Sequence, residues 1–146
     1  IKYRFVAETE SIPQIGIFPL VEIPTGDKSK GLGNGKYQLY LPVWLQKSWG
    51  KLTTYCGAGY WINPGPGNQN WTYSGWEVQY DFSDVLTLGG EVYYHTPDSK
   101  DSNSMQGYNV GGFINPDETN HILFSIGSAY GGEKTITAYV GYQKTI

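Results

Sequence analysis

Glu77 and Glu91 are the residues whose type and spacing come nearest to chemistry. They lie in "GWEVQYDF" and "LTLGGEVYY", either side of Ser83-Asp84-Val85. If Phe82 and Leu86 share the apolar face of a two-stranded hairpin, the loop between them must be odd, and Ser83-Asp84-Val85 as that loop sets Glu77 directly opposite Glu91. Facing carboxylates repel, and they relieve the repulsion by sharing a proton or recruiting a cation. Retaining glycosidases hold two carboxyls about 5 Å apart, but no aromatic sugar cleft is implied around this pair. Lys2, Arg4 or Lys51 across an enclosed space would neutralise it, so the expectation is an electrostatic role and no catalysis.

The other chemistry-bearing residues give less. "GLGNGK" (31–36) resembles a phosphate loop, but the Walker spacing puts Lys30 where the first Gly is needed, and Tyr37 follows Lys36 instead of Ser or Thr. His95 and His121 have no acidic or thiol partner at ligand spacing. The serines of "DSKDSNS" (98–104) have no fixed base nearby, and the segment lacks the Gly and distal Glu of a calcium loop. Cys56 is the single cysteine, which excludes an intrachain disulfide and a thiolate cluster. No catalytic residue, metal site or cofactor is expected.

The elements that would position these residues are strands. The 146 residues suit one domain (1–146), with 13 Tyr, 5 Trp and 20 Gly against 39% hydrophobic content, a mixture that favours pleated faces and tight turns. The ten Lys and Arg are scattered and the net charge is −3, so no basic stripe is present to track nucleic acid. No apolar run reaches the ~20 residues of a membrane helix, whereas a membrane β-strand needs only about 9–11. Period-two alternation marks about nine strands, at 1–8, 15–23, 36–46, 51–62, 71–82, 85–95, 105–114, 121–130 and 134–143. Pro19 and Pro42 each remove a ladder donor and predict local bulges.

Long connections (24–35, 63–70, 95–104) alternate with short ones (47–50, 83–85, 115–120), and "GGEK" (131–134) is short on the long side. This predicts an up-and-down antiparallel sheet with its long loops at one end. One parity is apolar: Leu39, Leu41, Val43 and Leu45, then Trp76, Val78 and Tyr80, then Ile122, Phe124 and Ile126. The other carries Lys2, Arg4, Lys36, Gln38, Lys51, Glu77, Gln79, Glu91 and Asn109. A small soluble barrel packs the apolar parity inside, and a membrane barrel inverts the two. Aromatics gather at strand ends, with Trp44, Trp49, Tyr80 and Tyr142 toward the short turns and Tyr60, Trp61, Tyr94 and Tyr130 toward the long loops. Aliphatic strand middles between two aromatic belts are what a bilayer favours.

"IGIFPLVEIPTGD" (15–27), the following "KSKGLGNGKYQLYLPVWLQKSWGKLTTYCGAGYWIN" (28–63) and "GWEVQYDFSDVLTLGGEVYYHTP" (75–97) resemble the bacterial outer-membrane transporter family named for the MetA pathway of phenol degradation, with Pro24-Thr25-Gly26-Asp27 the most specific piece. The resemblance covers most of the chain and implies a transmembrane β-barrel in the bacterial outer membrane that passes small organic, often aromatic, molecules; it supplies no catalytic motif. Members are commonly longer and many outer-membrane barrels end on an aromatic, where this sequence ends on Ile146. The expected fold is therefore an all-β, antiparallel up-and-down transmembrane barrel, seen as its C-terminal part, with an odd number of strands, such as three, before Ile1. Lys2, Arg4, Glu22, Lys36, Gln38, Lys51, Glu77, Gln79, Glu91 and Asn109 would line its lumen. Trp44, Trp49, Tyr60, Trp61, Tyr80, Tyr94, Tyr130 and Tyr142 would form its interfacial belts. Its expected partners are outer-membrane lipid and a small-molecule permeant, and a homo-oligomer is compatible with the pattern. Two rival readings are a soluble β-barrel holding an apolar ligand and a structural outer-membrane barrel without transport.

Overall fold

The computed structural model describes residues 2–145, so expectations attached to Ile1 and Ile146 lie outside it. Ten strands form one antiparallel sheet: β1 (Tyr3–Val6), β2 (Gln14–Ile17), β3 (Leu20–Glu22), β4 (Gln38–Trp49), β5 (Leu52–Ile62), β6 (Trp71–Asp81), β7 (Leu86–His95), β8 (Met105–Ile114), β9 (Asn120–Tyr130) and β10 (Lys134–Lys144). The spatial order is β1-β2-β4-β5-β6-β7-β8-β9-β10, with β3 beside β4. A single 3-10 turn, Lys28–Lys30, is the only helix among the described residues. Each strand from β4 onward pairs with the next in the chain, so the alternation read from the sequence becomes an up-and-down meander.

The sheet is open. Among the described residues β1 pairs only with β2 and β10 only with β9, so closure into a barrel is not part of this structure. The first predicted strand is shorter than expected and carries a bulge between Arg4 and Val6. The single strand expected over 15–23 is two pieces, because Phe18-Pro19 interrupts it. Pro42 does not produce the expected bulge: its pairing with Gly59 continues in register from Leu41↔Tyr60 to Val43↔Ala58. The reason lies on its other side, where β2 pairs with Val43–Gln46 and β3 with Gln38–Tyr40. The residue without a donor therefore stands opposite the Phe18-Pro19 gap, and no ladder bond is lost there.

Lys47 and Ser48, expected in a turn, belong to β4, and the tight turn is Gly50-Lys51 with Gly50 at φ 58°. Lys51 is thus an exposed turn residue and not part of a strand. At the same end Glu8 reaches back to β4, accepting a hydrogen bond from the Ser48 N–H (2.8 Å) and pairing with Lys47 Nζ (3.2 Å). The Ser48 N–H, helped by Lys47 and opposed in part by desolvation, holds its carboxyl below the ordinary glutamate value.

The turn from β8 to β9 is organised by Asp117, whose Oδ1 accepts from the Thr119 and Asn120 backbone N–H groups and from the Thr119 hydroxyl. Its Oδ1 and Oδ2 also accept from the Asn120 side-chain amide (2.8 Å each). Those donors, led by the Asn120 side chain, lower its pKa from 3.8 to about 2. A carboxylate with a depressed pKa stabilises the fold fully above its unfolded value and loses that contribution as pH falls through the folded one. Carboxyl titration by NMR is expected to place Asp117 near 2, with the Thr119 and Asn120 amide signals moving at the same midpoint. An Asp117 titrating at an ordinary aspartate value would show that this turn is not held by its carboxylate.

Candidate functional site

The two faces of the sheet differ in cover, and in the opposite sense to a water-soluble fold. On the apolar parity Trp76 is 56% exposed, Val92 53%, Val110 52% and Ile126 56%. On the other parity Thr53 is 9% and Thr87 8% exposed, and Glu77, Gln79, Glu91 and Asn109 are half-buried. The described residues provide no second layer, so one face can be shielded only by the sheet curling round it. The polar parity is the inner one.

A polar band crosses this inner face from strand to strand. Arg4 Nη1 donates to Gln14 Oε1 (3.1 Å), and Gln14 Nε2 lies 3.4 Å from Gln46 Oε1. Register then carries the band through Gln46↔Tyr55, Tyr55↔Glu77, Glu77↔Glu91 and Glu91↔Asn109. The predicted opposition of Glu77 and Glu91 is therefore present in the sheet. Asn109 Nδ2 donates to Glu91 Oε1 at 2.6 Å, and no Lys or Arg comes within ion-pair distance of either carboxylate among the described residues. Together with Gln79, Ser125 and neighbouring glycines the pair borders a recess of about 200 Å³. The arrangement presents net negative charge to whatever occupies the curl, and no group of three or more potential ligands for a metal ion occurs among the described residues.

Toward the long loops the inner face is aromatic. Tyr40, Trp61 and Trp71 stack in sequence across β4, β5 and β6, with ring centroids 4.7 and 5.4 Å apart and planes 16° and 11° off parallel, and His95 continues the row at 5.1 Å from Trp71. Tyr73 stacks on Tyr93 (6.1 Å) and meets Trp44 at 6.4 Å. Glycines opposite the rings allow them to lie down: a Cβ on Gly59 would strike the Tyr40 ring, and one on Gly107 the Tyr93 ring. Rings stacked on each other hide their faces and offer their edges, so this half of the curl is a stiff wall.

The aromatic row corrects two expectations. Trp44 pairs with Gly57 and Trp61 with Trp71, which puts both on the inner face with Glu77 and outside any belt on the open face. Trp49, Tyr60, Tyr80, Tyr94, Tyr130 and Tyr142 are on the open face and exposed. Trp76, by contrast, stands at a strand middle, its indole N–H donating to Thr54 Oγ1 (2.7 Å), which in turn donates to the Glu77 carbonyl. Of the residues expected to line a lumen, Gln38, Glu77, Gln79, Glu91 and Asn109 share the inner face. Arg4 and Glu22 share its parity but are exposed near the β1 edge and the long loops, and Lys2 and Lys36 lie outside the strands.

The long connections are tied to one another. Asn63, buried at 9% exposure, donates through Nδ2 to the Asp98 carbonyl (3.0 Å) and accepts at Oδ1 from Asn34 (3.2 Å) and Asn68 (3.3 Å). Gln69 Nε2 reaches the Ser99 carbonyl at 2.8 Å. Side-chain amides thus join the 24–37, 63–70 and 96–104 segments into a single rim. No family model, curated protein or solved structure matches this chain.

Proposed function

We propose that this chain forms the wall of a bacterial outer-membrane β-barrel through which small organic molecules diffuse passively. The observation that carries the reading is the inversion of the faces at mid-sheet: aliphatic side chains and Trp76 on the open side, carboxylates and amides on the covered side beyond its stacked aromatic row. In water that arrangement exposes Trp76, Val92, Val110, Ile126 and Val140 at a cost of apolar hydration. In lipid the same surface is matched to its solvent, with the Trp76 N–H satisfied inside the protein. Because the nine columns of the sheet alternate, β1 and β10 run the same way and cannot pair antiparallel with each other. No helix among the described residues is long and apolar enough to cross a membrane, a fact without bearing on strands.

The mechanism in this reading is diffusion past two zones, the stacked aromatic wall under the tied loops and the carboxylate band beyond it, with selectivity set by bore and lining charge. Catalysis has no part in it. The reading is tested by extraction and conductance: the protein is expected to leave membranes only in detergent, to migrate differently on gels before and after heating, and to conduct in planar bilayers. Full extraction in buffer without detergent would favour the soluble ligand-binding barrel, and insertion without conductance the structural barrel. Within the channel reading, Glu77→Gln with Glu91→Gln is expected to reduce a cation preference, because facing carboxylates favour cations at a constriction. An unchanged reversal potential in a salt gradient would remove these two side chains from the permeation path.

A further inference from the structure

On the open face a groove of about 640 Å³ runs between Trp76, Tyr94, Tyr108 and Lys134, within the ~300–1,000 Å³ range of small-molecule sites. The register explains it. One row reads Ser74, Tyr94, Gln106, Tyr130, Lys134 and the next Trp76, Val92, Tyr108, Ser128, Ile136. Ser74 and Ser128 are short, so the rings on either side stand proud and leave a trough between them. The trough is graded along the strands: Lys134 and Tyr130 are the first residue of β10 and the last of β9, next to the long-loop end, whereas Trp76 and Val92 lie deeper. Among the residues that line it Lys134 alone is charged, and it forms no ion pair among the described residues.

We infer that this groove binds an anionic lipid of the surrounding membrane, its acyl chain along Trp76, Val92 and Tyr108 and its phosphate against Lys134 and the Gln106 amide. The inference rests on the membrane reading above. Charge complementarity selects the occupant: a trough that is apolar at depth and cationic at its rim matches a molecule with a hydrocarbon tail and an anionic head at headgroup level. A second copy of the chain is disfavoured because it would bury Lys134 against an apolar surface with no counter-charge supplied by the groove.

The test uses the detergent-purified protein reconstituted in phosphatidylcholine vesicles containing either brominated phosphatidylglycerol or brominated phosphatidylcholine, with tryptophan quenching as the readout and Trp76→Phe to isolate the Trp76 signal. Brominated phosphatidylglycerol is expected to quench Trp76 at about five-fold lower mole fraction than brominated phosphatidylcholine, the weight one cation carries near an anionic lipid. Lys134→Gln should abolish that difference while Trp49, on the same face and beside a Lys47 whose charge is already paired with Glu8, is quenched equally by both lipids throughout. Equal quenching of Trp76 by the two lipids overturns the site and leaves the membrane reading standing, as does a preference that survives Lys134→Gln. Quenching of Trp49 with Trp76 shielded overturns it in favour of a protein partner in the groove. Absence of quenching at both tryptophans overturns the membrane reading itself.

Discussion

Arginine in place of Ile126 is expected to destabilise the protein in a bilayer by about 2–4 kcal/mol, the penalty for a cation on the lipid face near the midplane. Ile126 is 56% exposed, between Val110 and Ala138 in the middle of β9. In water a side chain so exposed accepts a charge within about 0.5 kcal/mol, since it buries nothing that the guanidinium would desolvate. The two environments therefore predict different outcomes for one substitution. Leu41→Arg carries a depth test: Leu41 pairs with Tyr60 toward the long loops, and the penalty there should fall toward the ~0–1 kcal/mol of the interface. Arginine at Gln38 or Ser125, on the inner face, provides the control. Unfolding by denaturant in lipid vesicles measures all four, and equal tolerance of Arg at Ile126 and Ser125 would contradict a lipid-facing apolar parity.

Much of the fold was legible because a single period runs through the chain. Alternation located six of the ten strands of the sheet, β5 to β10, to within a residue of their observed limits, and the odd loop after Phe82 sets Glu77 opposite Glu91 as its parity requires. Parity alone did not tell the inner face from the outer, because it is symmetric between them; the expectation of a polar interior came instead from the grading of aromatics along the strands. Trp44 and Trp61 were misplaced for a related reason: position along a strand and side of the sheet are independent coordinates, and nearness to a strand end says nothing about the second. Their own parity, shared with Gln38 and Thr53, carried the right answer. The uneventful passage of Pro42 was hidden because it depends on a gap in a neighbouring strand remote in sequence. The ring stack was hidden because it needs the register of three strands at once.

Gly127→Ala is expected to cost about 1–3 kcal/mol, the usual penalty for overpacking a site that has no room, and to disturb the carboxylate band with it. Gly127 is buried on the inner face opposite Asn109. A Cβ there would overlap Asn109 Oδ1 and the Tyr108 carbonyl oxygen. The backbone carbonyl cannot swing away without breaking the ladder between β8 and β9, so Asn109 must give. Asn109 is the donor that holds Glu91 at 2.6 Å, and its displacement leaves two opposed carboxylates with one tether fewer. The channel reading thus ties a stability defect to an altered reversal potential in the same variant. Gly90→Ala is the matched control: it also lies in a strand interior, but a Cβ there meets nothing nearer than the Asn109 carbonyl oxygen at 3.4 Å and a Val110 methyl at 3.5 Å. That change should be neutral or mildly stabilising, since Gly weakens a strand and Ala restricts the unfolded chain. If denaturation midpoints and reversal potentials move no further for Gly127→Ala than for Gly90→Ala, the close approach of Asn109 to β9 does not organise the band.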